Sequence, residues 1–166
     1  MMEKLPSWQG GDRRSTIAAI EKFAREYGFC TSQIAYILAT VQHETANTFR
    51  PVREGLNVSE NWRKANLRYY PYYGRGYVQI TWKNNYQKFG DLVGVDLVLQ
   101  PDLALRADIS MFILLFGMKH GSFTGMSLNN FCRNGETDFI RARKVINGMD
   151  KAQHIAGYAQ EWLKTI

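Results

Sequence analysis

The stretch QIAYILATVQHET (Gln33 to Thr45) constrains the fold more than any other. Ile34, Ile37, Leu38 and Val41 recur at helical spacing, so one face of an amphipathic helix enters a core, with Ser32 placed to cap it. The same period runs through DRRSTIAAIEKFAREYG (Asp12 to Gly28), where Ile17, Ile20, Phe23 and Ala24 form the stripe and Gly28 closes it. A polar, loop-rich stretch reaches to about Trp62, and a helix is expected after Trp82. Pro101 and Asp102 open a further helical region whose apolar part is Arg106 to Lys119, and two closing helices part near Gly148. Helices dominate.

One segment follows another rule. In PYYGRGYVQITW (Pro71 to Trp82), a strand would put Tyr77, Gln79 and Thr81 on one face and Val78, Ile80 and Trp82 on the other. The polar face is either the wet side of an edge strand or the wall of a cleft. The chain therefore reads as mainly α (α+β), with a small β-hairpin or sheet, and 166 residues suffice for a single core.

Glu44 is the anomaly in this pattern. At 100° per residue it lies roughly 20° from Ile37 and roughly 60° from Val41, at the edge of the apolar stripe. Burial there would favour the protonated carboxyl, as a general acid requires. The other reading is a helix-end glutamate paired with Arg50 or Arg53. Glu54 and Glu60 follow before the strand, and glycoside hydrolysis uses two such carboxyl groups.

Other chemistries fit less well. HETAN (His43 to Asn47) begins like the zinc helix H-E-x-x-H, but Asn47 stands where the second histidine belongs. His120 and His154 are isolated in sequence, so neither a metal nor another cofactor is expected. No G-x-S-x-G or Cys/His pattern supports acyl transfer, and GRG is too short to cradle a phosphate. Cys30 and Cys132 read as reduced packing thiols.

Lys and Arg outnumber Asp and Glu by 21 to 15, a net charge of +6, which favours anionic surroundings. The charges are scattered and carry no nucleic-acid-binding signature. The start of the chain lacks the apolar core of a signal peptide. Ile109 to Met118 is too short an apolar run to span a bilayer, so no stable membrane insertion is expected.

Four stretches in order carry a resemblance: ATVQHETANTFRPVREG, YYPYYGRGYVQITWKNNY, GVDLVLQPDLAL and RKVINGMDKAQHIAGYAQEWL. Together they resemble glycoside hydrolase family 19, and within it the bacteriophage endolysin branch. The resemblance implies one lysozyme-like catalytic domain over residues 1–166, with a cleft between two lobes and a small helical lobe at about 86–130. It places the acid on Glu44 and the water-positioning hydroxyl on Thr81. The second carboxylate falls on Glu54, with Glu60 in reserve. Sugar contacts fall on Gln79, Asn85 and Asn147, with Tyr77 and Arg75 beside them.

The expected activity is that of a metal-free muramidase. It would cleave β-1,4 bonds between MurNAc and GlcNAc in peptidoglycan with inversion, its carboxyls ~6.5–9.5 Å apart. The alternatives are a chitinase acting on GlcNAc polymers and a non-catalytic cell-wall glycan-binding module. As an endolysin the protein would be a monomer, held in the host bacterial cytoplasm until a holin-type protein releases it to the periplasm and cell wall. The chain departs from the plant enzymes in lacking their disulfides, their signal peptide and the glycine pair that often follows their HET motif.

Overall fold

The computed structural model describes residues 2–133 and 135–166. Helix α1 spans Arg13–Glu26, and the Asp12 carboxylate caps it by accepting from the Ser15 amide at 2.8 Å. Helix α2 (Thr31–Glu44) begins earlier than the sequence suggests. Cys30 is the capping residue, its amide donating to Gln33 Oε1 at 2.9 Å, and Ser32 lies in the first turn. Burial also exceeds the expected stripe. Every residue from Ile34 to Val41 is fully buried, because α2 packs between α1 and the last helix, α6 (Ala152–Leu163). A helix surrounded on all sides has no solvent face for polar residues to mark.

Between α2 and α6 come α3 (Glu60–Asn66), α4 (Lys83–Val93) and α5 (Ala107–His120). Ser59 caps α3 by accepting from the Trp62 amide at 3.1 Å, so helix begins within the stretch read as loop. Short 3-10 turns occupy Pro101–Leu105, Leu128–Asn130 and Arg141–Val145. The last replaces the first of the two expected closing helices. Phe89 of α4 and Ile109 and Met111 to Leu115 of α5, from the region expected as a small helical lobe, share one apolar cluster with Ile34 to Ala39 and Val41. Among the described residues, no helix is long and apolar enough to cross a membrane.

The sheet is smaller than the alternation implied. Strand β1 (Val52–Arg53) pairs antiparallel with β2 (Arg75–Gly76), Val52 opposite Gly76 and Arg53 opposite Arg75. The chain then turns, and positive φ at Gln79 (60°) and Trp82 (72°) breaks the two-residue period. Tyr77, Val78 and Ile80 are consequently all buried, whereas Trp82 is 43% exposed. Gln79 substitutes for a longer ladder: its Nε2 donates to the carbonyls of Val52 at 2.8 Å and Gly76 at 3.1 Å.

This geometry explains the glycines around Arg75. A Cβ on Gly74 would lie 2.7 Å from Gln79 Oε1, and Gly76 sits at φ 99° with Ser110 Oγ 2.9 Å from where its Cβ would be. Arg75 itself is 3% exposed. Its Nε donates to Asp102 Oδ1 at 2.9 Å, and its Nη1 to Pro71 O at 2.8 Å and Tyr86 Oη at 2.9 Å. The buried guanidinium ties the hairpin to the 3-10 turn at Pro101–Leu105.

Candidate active site

A cleft of about 590 Å³ lies where the end of α2, the hairpin, the start of α4 and the Arg141–Val145 turn converge. Glu44 and Glu54 both line it. Glu44 is the last residue of α2, and only 16% of its side chain is exposed. Burial raises its pKa, against the opposing charge and hydrogen bond of Arg143. Arg143 Nη1 lies 3.2 Å from Glu44 Oε1, while its Nε donates to Asp150 O at 2.9 Å. The carboxyl is thus both desolvated and paired, but with neither of the arginines the sequence suggested. Arg53 is directed to Asp102 at 2.6 Å and Tyr73 Oη at 2.7 Å.

The turn after Glu44 is fixed by its own bonds. Thr45 Oγ1 donates to Val41 O at 2.6 Å and accepts from the Phe49 amide at 2.9 Å. Ala46, Asn47 and Phe49 have φ of 49°, 67° and 55°. The left-handed backbone is therefore present although the glycine pair is not. Arg13 stabilises it from α1, its Nη2 donating to Asn47 Oδ1 at 2.9 Å and its Nε to Asn47 O at 3.2 Å. Ala46 is exposed, and a left-handed alanine costs ~1–2 kcal/mol, more than the ~0.5–1 kcal/mol of added chain entropy that glycine brings. Ala46→Gly should accordingly raise stability by about 0.5–1 kcal/mol in denaturant unfolding. An unchanged or lower midpoint would contradict a strained turn.

Glu54 follows β1, and both of its carboxylate oxygens lie 2.8 Å from Tyr69 Oη. One phenolic proton is thus shared between two acceptors. Burial, then the contact with Glu54, pushes the Tyr69 pKa up to about 12, so the phenol remains a donor at neutral pH. The Tyr69 ring rests against Trp82 at 5.0 Å between centroids. Trp82 presents an exposed aromatic face along the cleft, and Arg68 lies 5.4 Å from its ring. Such a face suits the apolar side of a sugar ring.

Glu60 does not line the cleft. Tyr73 Oη at 2.7 Å and Arg63 Nη1 at 2.8 Å donate to one of its oxygens, and Tyr70 Oη at 3.1 Å to the other. Burial pushes its carboxyl up, but these hydrogen bonds outweigh that and hold it below the usual range. The reserve carboxylate is occupied elsewhere.

Gln79, Thr81, Asn85 and Asn147 all line the cleft. Asn85 Nδ2 donates to Thr81 O at 2.8 Å, fixing the two together. Tyr77 and Arg75 require correction, because neither lines it. Tyr77 is 1% exposed and accepts from Trp8 Nε1 at 3.0 Å, a core contact, and Arg75 is the buried tie described above. Arg143 and Tyr69 escaped the sequence reading. Among the described residues there is no cluster of three or more His, Cys, Asp or Glu that could hold a metal.

Residues 49–120 match the family model described as chitinase class I, of glycoside hydrolase family 19. The chain superposes on chitinase C from Streptomyces griseus with a TM-score of 0.60 at 22% identity, covering 91% of this chain and 82% of that one. A class IV chitinase from Zea mays gives the same TM-score at 24% identity, over 91% and 79%. The fold is that of the family 19 chitinases. In sequence, an endochitinase of Arabidopsis thaliana is 33% identical over 103 residues, 60% of this chain and 37% of its own length. Chitinase 11 of Oryza sativa is 64% identical over 42 residues, 25% of this chain and 16% of its own length. The chain thus spans well under half the length of these curated relatives. They are chitinases, and none of them carries the endolysin part of the sequence expectation.

Proposed function

We propose that the protein is an inverting glycoside hydrolase that cleaves β-1,4 bonds in polymers of N-acetylglucosamine. The observation that carries this reading is the pair Glu44 and Glu54 lining one cleft, the first desolvated at a helix end and the second half-buried just after β1. Glu44 would protonate the bridging oxygen as the acid. Glu54 would take a proton from a water held by the Thr81 hydroxyl, and that water would attack the anomeric carbon from the opposite face. Gln79, Asn85 and Asn147 would hold sugars along the cleft, with Trp82 under one ring. No metal or other cofactor enters these steps. Chitin as the polymer is supported by the relatives, all chitinases by name.

A second reading, peptidoglycan, is favoured by the +6 charge, because muropeptides are anionic and chitin is neutral. On that substrate the protein would be a muramidase and an endolysin, released to the wall by a holin-type partner. Mass spectrometry of digests of chitin hexamer and purified peptidoglycan separates the two. Chitin oligomers, absent with Glu54→Gln, are expected. Muropeptides ending in reducing MurNAc, with chitin untouched, would establish the second reading. Binding to either polymer without any cleavage would leave only a glycan-binding module.

A further inference from the structure

The segment carrying Glu54 is held by more than its own strand. Beyond β1 the chain has no further ladder, and the Glu54 amide makes one bond, to Gly74 O at 2.7 Å. Its carboxylate is held by Tyr69, and its main chain is held further from α3. Arg63 is 4% exposed, and its guanidinium reaches back to the two carbonyls that flank the Glu54–Gly55 step. Nε donates to Glu54 O at 2.8 Å and Nη2 to Gly55 O at 3.0 Å. Nη1 donates to Glu60 Oε1 at 2.8 Å, which balances the charge, and the group lies 5.1 Å from the centre of the Tyr73 ring. Glu60 is itself fixed by Tyr73 and Tyr70.

We propose that Arg63 is a positioning residue for hydrolysis: it fastens the main chain at Glu54 and Gly55 and so sets where the Glu54 carboxylate stands across the cleft from Glu44. This rests on the reading of Glu54 as base. Arg63 does not line the cleft, so it acts only through Glu54. A rigid planar fork suits the task, because it satisfies two successive carbonyls and a carboxylate together. A lysine ammonium would keep the charge beside Glu60 without spanning both carbonyls. A base displaced by about 1 Å can lose roughly 100-fold in rate while the sugar subsites stay intact.

The test compares Arg63→Lys and Arg63→Met with Glu54→Ala, with and without azide. Azide is an anion that attacks the anomeric carbon without a base. As its C–N bond forms, the glycosidic C–O bond breaks and the Glu44 proton goes to the leaving oxygen. Arg63→Lys should lower kcat about 10- to 100-fold with KM within about threefold, and azide should restore turnover with release of glycosyl azide. Wild-type kcat in Arg63→Lys, or a loss that azide does not repair, would overturn the proposal. If Arg63→Met fails to fold, Arg63→Lys decides alone. Glu54→Ala keeps the two ideas separate. Wild-type turnover there removes the base assignment, whereas azide rescue of Glu54→Ala alone removes only the role of Arg63.

Discussion

Glu44→Gln lowers kcat about 1000-fold, within the ~10²–10⁴ range that a positioned general acid supplies, and leaves the fold intact. The amide keeps an oxygen for Arg143 Nη1, which now lies 3.2 Å from Glu44 Oε1, so the buried guanidinium is not abandoned. The pH dependence has a definite sign. Burial sets the Glu44 pKa above the ordinary 4.5, and turnover needs the protonated form. Activity therefore falls as pH rises through that raised value. Stability follows the same direction. A carboxyl with a raised folded pKa contributes fully below 4.5, and that contribution is lost as pH rises through the folded value. Glutamine cannot ionise, so the variant's stability should be flatter across this window. Kinetics on chitin hexamer beside denaturant unfolding at several pH values checks both. Wild-type rates in the variant would remove Glu44 as the acid.

The second large effect concerns stability. Arg75→Met should lower stability by about 3 kcal/mol and Tm by roughly 6–12 °C, because it removes a buried guanidinium and leaves the buried acceptors it serves without a donor. Pro71 O loses its Nη1 donor, Tyr86 Oη loses a second, and the stack of the guanidinium over Tyr73 at 3.8 Å disappears. Asp102 keeps Arg53 at 2.6 Å, and its side chain is 61% exposed, so the lost ion pair itself adds little to this. Thermal unfolding separates this role from the sequence expectation. A substrate contact would raise KM and leave Tm unchanged, and that result would restore Arg75 to the cleft.

The helices were readable because they are local. Helix α1 falls within the stretch Asp12 to Gly28 that its apolar stripe marks, and Gly28 has the positive φ of a chain leaving a helix. Glu44 was readable for a similar reason, since its angle to Ile37 and Val41 follows from spacing alone. Its partner was not. Arg143 lies 99 residues away, in a stretch whose apolar spacing suggested an ordinary helix. Tyr69 was hidden among the tyrosines of YYPYYGRGY until its distance to Glu54 singled it out. The expected strand failed because alternation carries no record of φ. Gln79 and Trp82 have positive values that turn Tyr77 into the core and Trp82 toward solvent. The choice between Glu54 and Glu60 was open in sequence because both follow Glu44 within one short stretch. Tyr73, Tyr70 and Arg63 hydrogen-bond to Glu60, which does not line the cleft, whereas Glu54 does.

The central claim is that Glu44 and Glu54 act from opposite sides of a bound sugar. Proton NMR of the first products released from N-acetylglucosamine hexamer tests it most directly. Inversion at a β-linkage predicts that the α-anomer appears first and relaxes to the equilibrium mixture. Initial β-anomer would indicate retention and contradict the assigned roles, and intact hexamer would contradict the proposed substrate.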